Sequence, residues 1–109
     1  MLIEHRGRRP VISAAAVIAP SAVISGDVEI GEHSVVRPGA IVVSEGAPVR
    51  IGEHCVIMEH AVIRGAGRYA CAISDHVLIG PHAHVSGATI QRCCFLATGA
   101  IVFTHQSPI

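Results

Sequence analysis

The feature that most constrains this chain is an aliphatic residue that recurs every six positions. A repeat of six fits neither the 3.6-residue period of an α-helix nor the two-residue alternation of a flat sheet. It fits a β-solenoid in which each hexapeptide forms one side of a triangular coil. The position two residues before each aliphatic is small, as a tight interior corner requires, and glycines that follow inward aliphatics are expected to touch neighbouring backbone. The recurring aliphatics begin with Ile12, Ile18, Ile24, Ile30, Val36 and Val42, and the glycines are Gly31, Gly52 and Gly80.

Two longer steps interrupt the period, and we interpret each as an excursion outside the coil. The first excursion covers residues 44–48 and the second covers residues 65–71, and the period resumes after each. A single five-residue step precedes Ile90, and five coils result. Their inward residues fall on three faces. The first face receives Ile12, Ile30, Ile51, Ile73 and Ile90; the second receives Ile18, Val36, Ile57, Ile79 and Leu96; the third receives Ile24, Val42, Ile63, Val85 and Val102.

Tandem hexapeptides that begin with an aliphatic residue and a glycine are typical of left-handed parallel β-helices. We therefore predict an all-β fold, a left-handed parallel β-helix (hexapeptide-repeat solenoid) of about five coils and three faces. The 109 residues form a single domain, with 1–10 as an N-terminal cap segment, 11–103 as coils and 104–109 as a short tail. No second cap is recognisable, so the open C-terminal coil either packs end to end against another molecule or marks a truncated relative of a longer protein.

Composition excludes several partners. Eight basic and eight acidic residues give zero formal net charge, so nothing indicates nucleic acid or an anionic membrane surface. No apolar run approaches the roughly 20 residues of a membrane span, and the N-terminus lacks the apolar core of a signal peptide. We expect a cytoplasmic protein with reduced cysteines. Cys55 and Cys94 should be buried at interior corners, Cys93 should point outward, and Cys71 should lie on the second excursion.

Residues immediately before the inward positions form three outward ladders, one on each face. The first ladder is mostly polar, the second is entirely apolar, and the third is apolar except for one histidine. Two continuous apolar stripes exceed what a monomer usually exposes. We therefore predict a homo-oligomer, a trimer that buries the second and third faces. The ladders are Val11, Glu29, Arg50, Ala72 and Thr89; Val17, Val35, Val56, Leu78 and Phe95; and Val23, Ile41, Val62, His84 and Ile101.

The segments Gly26–Gly65 and Ile73–Ile90 resemble the gamma-class carbonic anhydrase family, and Phe95–Phe103 continues the pattern. The nine-residue and five-residue steps fall where that family has them. The resemblance implies a left-handed β-helix trimer. It also implies a zinc ion between subunits, bound by three histidines, two from one chain and one from the next, with an open position for water.

The histidines of that zinc site are not retained in this sequence. On the resemblance, the three ligand positions fall on Arg64, Pro81 and Ser86. Arginine, proline and serine supply no neutral nitrogen donor, and arginine would place a fixed positive charge where the metal binds. A glutamine of the family becomes Met58, and the arginine and aspartate of an RGD-like segment become Val43 and Glu45. No cofactor is therefore expected.

Two groups of side chains remain candidates for binding. We predict a polar or anion-binding pocket at the subunit boundary, while a rearranged His84 near Arg64 and a neighbouring subunit's Glu59 would instead offer a metal site. Other histidines fall on the same corner of successive coils, which places them about 4.8 Å apart. They would either stack ring on ring in solvent or share a zinc or nickel ion in pairs. The pocket set is Arg37, Met58, Glu59, Arg64, His84 and Ser86; the corner sets are His33, His54 and His76 with Cys93, and His60 with His82.

These patterns favour a non-catalytic, gamma-carbonic-anhydrase-like trimer that serves as a scaffold or as a module for a small ligand or partner. Two enzyme alternatives stay open. One is a divergent metal-dependent lyase or hydrolase with relocated histidines. The other is a hexapeptide acyltransferase with His84 or His60 as general base. Fold and function are separate claims, because hexapeptide solenoids host several chemistries.

Overall fold

A computed structural model describes residues 1–103 of the chain. These residues form sixteen short β-strands in three parallel sheets, without any helix between them. Each sheet takes one strand from each coil, so the chain winds into a left-handed parallel β-helix of about five turns. The predicted fold class is confirmed. The predicted tail, 104–109, lies outside the described residues, and the division into cap, coils and tail stays a prediction.

The sheets are built from strands of two to five residues. In chain order they are β1 (Leu2–Ile3), β2 (Val11–Ile12), β3 (Val17–Ile18), β4 (Val23–Ser25), β5 (Val28–Ile30), β6 (Val35–Val36), β7 (Ile41–Glu45), β8 (Val49–Ile51), β9 (Val56–Ile57), β10 (Val62–Ala66), β11 (Cys71–Ile73), β12 (Leu78–Ile79), β13 (His84–Ser86), β14 (Thr89–Ile90), β15 (Phe95–Leu96) and β16 (Ile101–Phe103). The first sheet has the order β2-β5-β8-β11-β14, the second β3-β6-β9-β12-β15 and the third β1-β4-β7-β10-β13-β16.

The pairing register reproduces the predicted ladders. On the first sheet the inward residues pair coil by coil, from Ile12 opposite Ile30 to Ile73 opposite Ile90. The inward residues of the second and third sheets pair in the same way. Because strand side chains alternate, the outward ladders follow from the same register. The core is filled by isoleucine, valine, alanine and two cysteines.

The glycines after inward residues lie against the next coil, as predicted. A β-carbon on Gly31 would lie 2.8 Å from the carbonyl carbon of Gly52, and one on Gly80 would lie 2.6 Å from the carbonyl oxygen of Leu96. Distances below 3.0 Å to backbone atoms leave no room for a side chain. Glycine is therefore required at these corners by the spacing between coils.

The cysteines require one correction. Cys71 does not lie on the second excursion: it begins β11, pairs with Val49, and is fully buried in the core. The second excursion therefore ends one residue earlier, and Cys71 occupies the small corner position two residues before Ile73. Cys55 is buried as predicted and Cys93 is exposed, whereas Cys94, in the last described coil, is only half-buried. All four thiols are free.

Candidate functional site

The outer surface of the third sheet carries a second ladder that the sequence analysis missed. Arg64 pairs with Val43 on one side and with Ser86 on the other, and Ser86 pairs with Phe103. These side chains point outward because they follow the inward residues by one position. The signal was present in the sequence: strands of three or more residues place two outward side chains on each coil. Arg64 and Ser86, two of the predicted site residues, are therefore direct neighbours.

Arg64 is held by an ion pair with Glu45. Nε of Arg64 donates to Oε1 of Glu45 at 2.8 Å, and its Nη2 contacts the same oxygen. Both side chains are partly exposed, at 39% and 50%. Glu45 ends β7, so the pair ties β10 to the start of the first excursion. The guanidinium charge at this position is thus matched within the subunit.

His84 lies on the same surface as Arg64 and Ser86. It pairs with Val62 and Ile101 on the third sheet, as the outward ladder predicted. Its ring centroid is 6.2 Å from that of Phe103, at an angle of 45°. The structure therefore brings Arg64, His84 and Ser86 together on one face of the subunit, with apolar neighbours above and below.

Arg37 and Glu59 form a separate pair at the corner between the second and third sheets. Nη2 of Arg37 donates to Oε2 of Glu59 at 2.9 Å, and Nε donates to the same oxygen at 3.2 Å. A hydrogen bond from its own backbone N–H, together with the Arg37 guanidinium, lowers the pKa of the Glu59 carboxyl. Met58 precedes Glu59 and is half-buried. Within the subunit, these three residues form one group and Arg64, His84 and Ser86 form the other.

The residues that the resemblance assigns to the three zinc-ligand positions do not fit zinc. The Arg64 guanidinium is a cation engaged by Glu45, Ser86 offers a hydroxyl, and Pro81 has no side-chain donor. Structural and catalytic zinc sites use neutral imidazole, thiolate or carboxylate ligands. Across residues 1–103 no group of three or more histidine, cysteine or acidic side chains is placed to hold a metal ion. We therefore derive no step through zinc.

The corner histidines stack as rings. The centroids of His33 and His54 are 5.0 Å apart, those of His54 and His76 are also 5.0 Å apart, and His60 and His82 are separated by 5.2 Å. All five residues adopt left-handed backbone conformations, with φ between 56° and 61°. Cys93 continues the first column with a φ of 61°. The predicted stacking is confirmed, whereas the left-handed backbone conformations were not predicted.

The buried thiols are parts of the core and not of a reactive site. Sγ of Cys55 donates to the carbonyl oxygen of Ser74 at 3.0 Å, and the Cys55 amide donates to Oγ of Ser34. Burial raises the pKa of Cys55 and of Cys71 above the ordinary thiol value. A raised pKa reduces the thiolate fraction, and the thiolate is the reactive form. Nucleophilic chemistry at these cysteines is therefore disfavoured.

The sequence relatives include carbonic anhydrases and an uncharacterized transferase of Bacillus subtilis. A carbonic anhydrase of Geobacillus kaustophilus is 26% identical over 102 residues, which are 94% of this chain and 56% of the relative. The mitochondrial gamma carbonic anhydrase 1 of Arabidopsis thaliana is 29% identical over 99 residues, which are 85% of this chain and 36% of the relative. The chain thus spans about half the length of these relatives or less. No protein-family model matches it.

Solved structures agree with the fold. The CcmM N-terminal domain, solved in complex with CcmN, matches with a TM-score of 0.82 at 15% identity, over 97% of this chain and 86% of that one. GDP-perosamine N-acetyltransferase of Caulobacter crescentus, solved with CoA and GDP-perosamine, matches with a TM-score of 0.59 at 15% identity, over 87% and 50%. At these identities the likeness shows the fold alone.

The three parallel sheets and the hexapeptide period define a β-solenoid of the hexapeptide-repeat class. Within that class the chain is similar to carbonic anhydrases, among them a gamma-class protein of Arabidopsis thaliana. In the part of the chain that the structure describes, no helix is long and apolar enough to cross a membrane.

Proposed function

We propose that this protein is a non-catalytic homotrimer that acts as a scaffold or as a binding module for a small ligand or a partner. The observation that carries the proposal is the Arg64–Glu45 ion pair at the position where the related anhydrases would place a zinc ligand. An arginine satisfied by a carboxylate is a stable substitute for a metal ligand and offers no Lewis acid. Cytoplasmic location and the absence of nucleic-acid and membrane partners stay predictions of the sequence.

Apolar exposure on two faces supports the trimer. On the second sheet Val17 and Phe95 are 61% and 68% exposed, and on the third sheet Ile101 is 65% exposed. The register aligns each with the other residues of its ladder, so the apolar side chains form stripes along the axis, interrupted on the third sheet by His84. A cyclic trimer would bury both stripes at once, because each subunit presents two different faces to its two neighbours. End-to-end packing at the C-terminal coil is a further proposal.

The same arrangement supplies a place for a ligand. The group of Arg37, Met58 and Glu59 and the group of Arg64, His84 and Ser86 lie on different parts of the subunit surface. In a trimer of this geometry, one group could face the other across a boundary and form the predicted polar pocket. Glu59 and Glu45 already match the two guanidinium charges, so the proposed pocket is polar without an excess of fixed positive charge, and His84 and Ser86 supply its remaining polar groups.

The competing function is an acyltransferase, because solenoids of this fold include an enzyme solved with CoA. Its general base would be His84 or His60. His84 contacts Phe103, and the His60 ring stacks on His82. In neither case does a carboxylate within hydrogen-bonding distance orient the imidazole among the described residues. The described residues of one subunit therefore lack a carboxylate that would orient either histidine as a general base, and this favours the scaffold over the acyltransferase.

The test combines metal analysis with molecular mass. The untagged protein is exposed briefly to zinc, dialysed, and examined by inductively coupled plasma mass spectrometry and multi-angle light scattering. We expect a trimer without stoichiometric zinc. Near-stoichiometric zinc would revive the metal-dependent enzyme, and a monodisperse monomer would refute the proposed interface.

A charge placed on the second sheet tests which surface forms the trimer. Val56→Asp or Leu78→Asp should convert the trimer to smaller species or aggregates, because a carboxylate would be buried without a partner. Thr89→Asp, on the exposed outer ladder of the first sheet, is the matched control and should stay trimeric. Unaltered soluble trimers from the first two variants would place the interface elsewhere.

A further inference from the structure

The N-terminal segment closes a tight turn that projects beside the third sheet. The amide of His5 donates to the carbonyl of Arg8 at 2.9 Å, and the amide of Arg8 donates back at 3.0 Å. The two residues between them, Arg6 and Gly7, have φ of 53° and 75°. Two positive φ values at the central positions define a type I′ hairpin turn. The turn is therefore a rigid two-residue loop, and Arg6 and Arg8 leave it at fixed positions.

Backbone pairing fixes this turn to the solenoid. β1 pairs with β4, and the amide of Gly26 donates to the carbonyl of Ile3 at 2.9 Å. A β-carbon on Gly26 would lie 3.4 Å from the β-carbon of His5, so the turn also packs closely on the coil below. Arg6 and Arg8 thus belong to a turn that a paired strand, β1, anchors to the solenoid.

A pocket of about 170 Å³ lies between this turn and the first excursion. This volume is well below the roughly 300–1,000 Å³ of pockets that enclose drug-sized ligands. The space suits one small polar group and would leave the rest of a larger molecule outside. The residues that line it are His5, Arg6, Arg8, Asp27, Ser44 and Gly46.

The charge of this pocket is not neutralised by the protein. Each arginine of the coils at positions 37, 50 and 64 contacts a carboxylate. Among residues 1–103, by contrast, Arg6 and Arg8 have no carboxylate within 4.0 Å. The one acidic lining residue, Asp27, lies 3.0 Å from Arg50, which also contacts Glu29 at 3.5 Å. The lining therefore holds two arginines against one carboxylate, an excess of positive charge in a chain whose formal net charge is zero.

We propose that this pocket binds a small oxyanion of the phosphate class, held by Arg6 and Arg8 with His5 beside them. Guanidinium groups bind phosphate oxygens through paired, charge-assisted hydrogen bonds. A preformed I′ turn lowers the conformational entropy lost when they close on the anion. The anion is either free phosphate or the phosphate end of a larger metabolite. This site lies on one subunit and does not depend on the trimer or on the proposed function.

The test is a titration of the ¹⁵N-labelled protein at constant ionic strength, followed by amide chemical shifts. Inorganic phosphate and phenyl phosphate are the two probes, and sodium chloride is the salt control. We expect saturable shifts of Arg6, Gly7, Arg8 and Gly46 with millimolar phosphate. Similar affinities for both probes would indicate that the free anion suffices, and tighter binding of phenyl phosphate would indicate a phosphorylated metabolite.

Substitutions decide whether the turn is responsible. The double variant Arg6→Gln with Arg8→Gln should weaken binding at least about tenfold, which is about 1.4 kcal/mol. Arg92→Gln, which removes an exposed arginine from another corner, should leave the affinity unchanged. A thermal melt of each variant checks that the solenoid is folded. No saturable shift at the turn in the parent protein, or equal weakening by Arg92→Gln, would overturn the proposal.

Discussion

The contact between the two excursions can be tested by replacing Gly65 with alanine. Gly65 is buried in β10, and a β-carbon there would lie 2.2 Å from the carbonyl oxygen of Ala47 and 2.6 Å from that of Pro48. Ordinary contacts of this kind begin near 3.4 Å. Because both oxygens belong to the backbone, no side-chain rotation can relieve the overlap. The φ of Gly65 is outside the left-handed region, so the cost of Gly65→Ala is steric.

The loss of stability in Gly65→Ala can be estimated from the backbone that must move to accommodate the added methyl group. Relief of the overlap requires the first excursion to shift away from β10, and overpacking of this kind costs about 1–3 kcal/mol. The shift would also strain the hydrogen bond from Oγ of Ser44 to the Ala47 carbonyl, now 2.7 Å, and that from the Gly67 amide to the Glu45 carbonyl, now 3.0 Å. Each such bond contributes about 1 kcal/mol. We therefore expect a loss of about 3–5 kcal/mol in the free energy of unfolding.

Urea unfolding monitored by far-UV circular dichroism measures this loss, with all variants at one protein concentration. With a denaturant slope of about 2 kcal/mol/M, the midpoint should fall by about 1.5–2.5 M. Gly67→Ala is the matched control, because nothing lies within 4 Å of its β-carbon although its φ is +61°. That variant should lose only about 1–2 kcal/mol, the cost of a left-handed alanine. Equal midpoints for the two variants would refute the close contact.

Two further predictions concern ionisable side chains. Burial raises the pKa of the Cys71 thiol above its ordinary value of 9.0, so the folded state favours the protonated thiol. The contribution of this group to the free energy of unfolding is fully present below about pH 9 and is lost as pH rises through the folded pKa. Cys71→Ala should therefore reduce the alkaline fall of the urea midpoint. Arg37→Gln should raise the pKa of Glu59 only part of the way to 4.5, because the largest cause of the lowered pKa is the hydrogen bond from the Glu59 backbone N–H, which the variant keeps. Side-chain NMR as a function of pH measures this pKa.

The coil architecture could be predicted because one residue type at one spacing determines it. An aliphatic at every sixth position can be buried only if the chain turns after each hexapeptide, and this fixes the register of all three sheets. The longer steps were assigned to the correct coils, although β7 and β10 extend into the residues predicted as excursions. The prediction that Cys71 lies on an excursion was wrong because cysteine is common both in loops and at small core positions. Only the pairing with Val49 shows that Cys71 belongs to the core.

The polar site was harder to predict because its geometry depends on side chains from different coils. Arg37 lies 22 residues from Glu59, and Arg64 lies 19 residues from Glu45. The register places Arg64 opposite Val43 and Glu45 opposite Ala66, and Glu59 lies one position beyond the residue opposite Arg37. Both ion pairs therefore depend on side-chain conformations that the register does not determine. The N-terminal turn was beyond such reasoning, because a terminal segment with no repeat gives no register from which to place it.

The Arg64–Glu45 pair explains why one substitution would not rebuild the zinc position. Arg64→His would restore one imidazole, but Pro81 and Ser86 would still supply no nitrogen donor. It would also leave the Glu45 carboxylate without its cation, at the junction where β7 enters the first excursion. The arginine and the glutamate therefore act as a unit that stabilises the junction between coils. On the resemblance to the carbonic anhydrases, this ion pair lies where a metal ligand would be, and it adds a structural contact there.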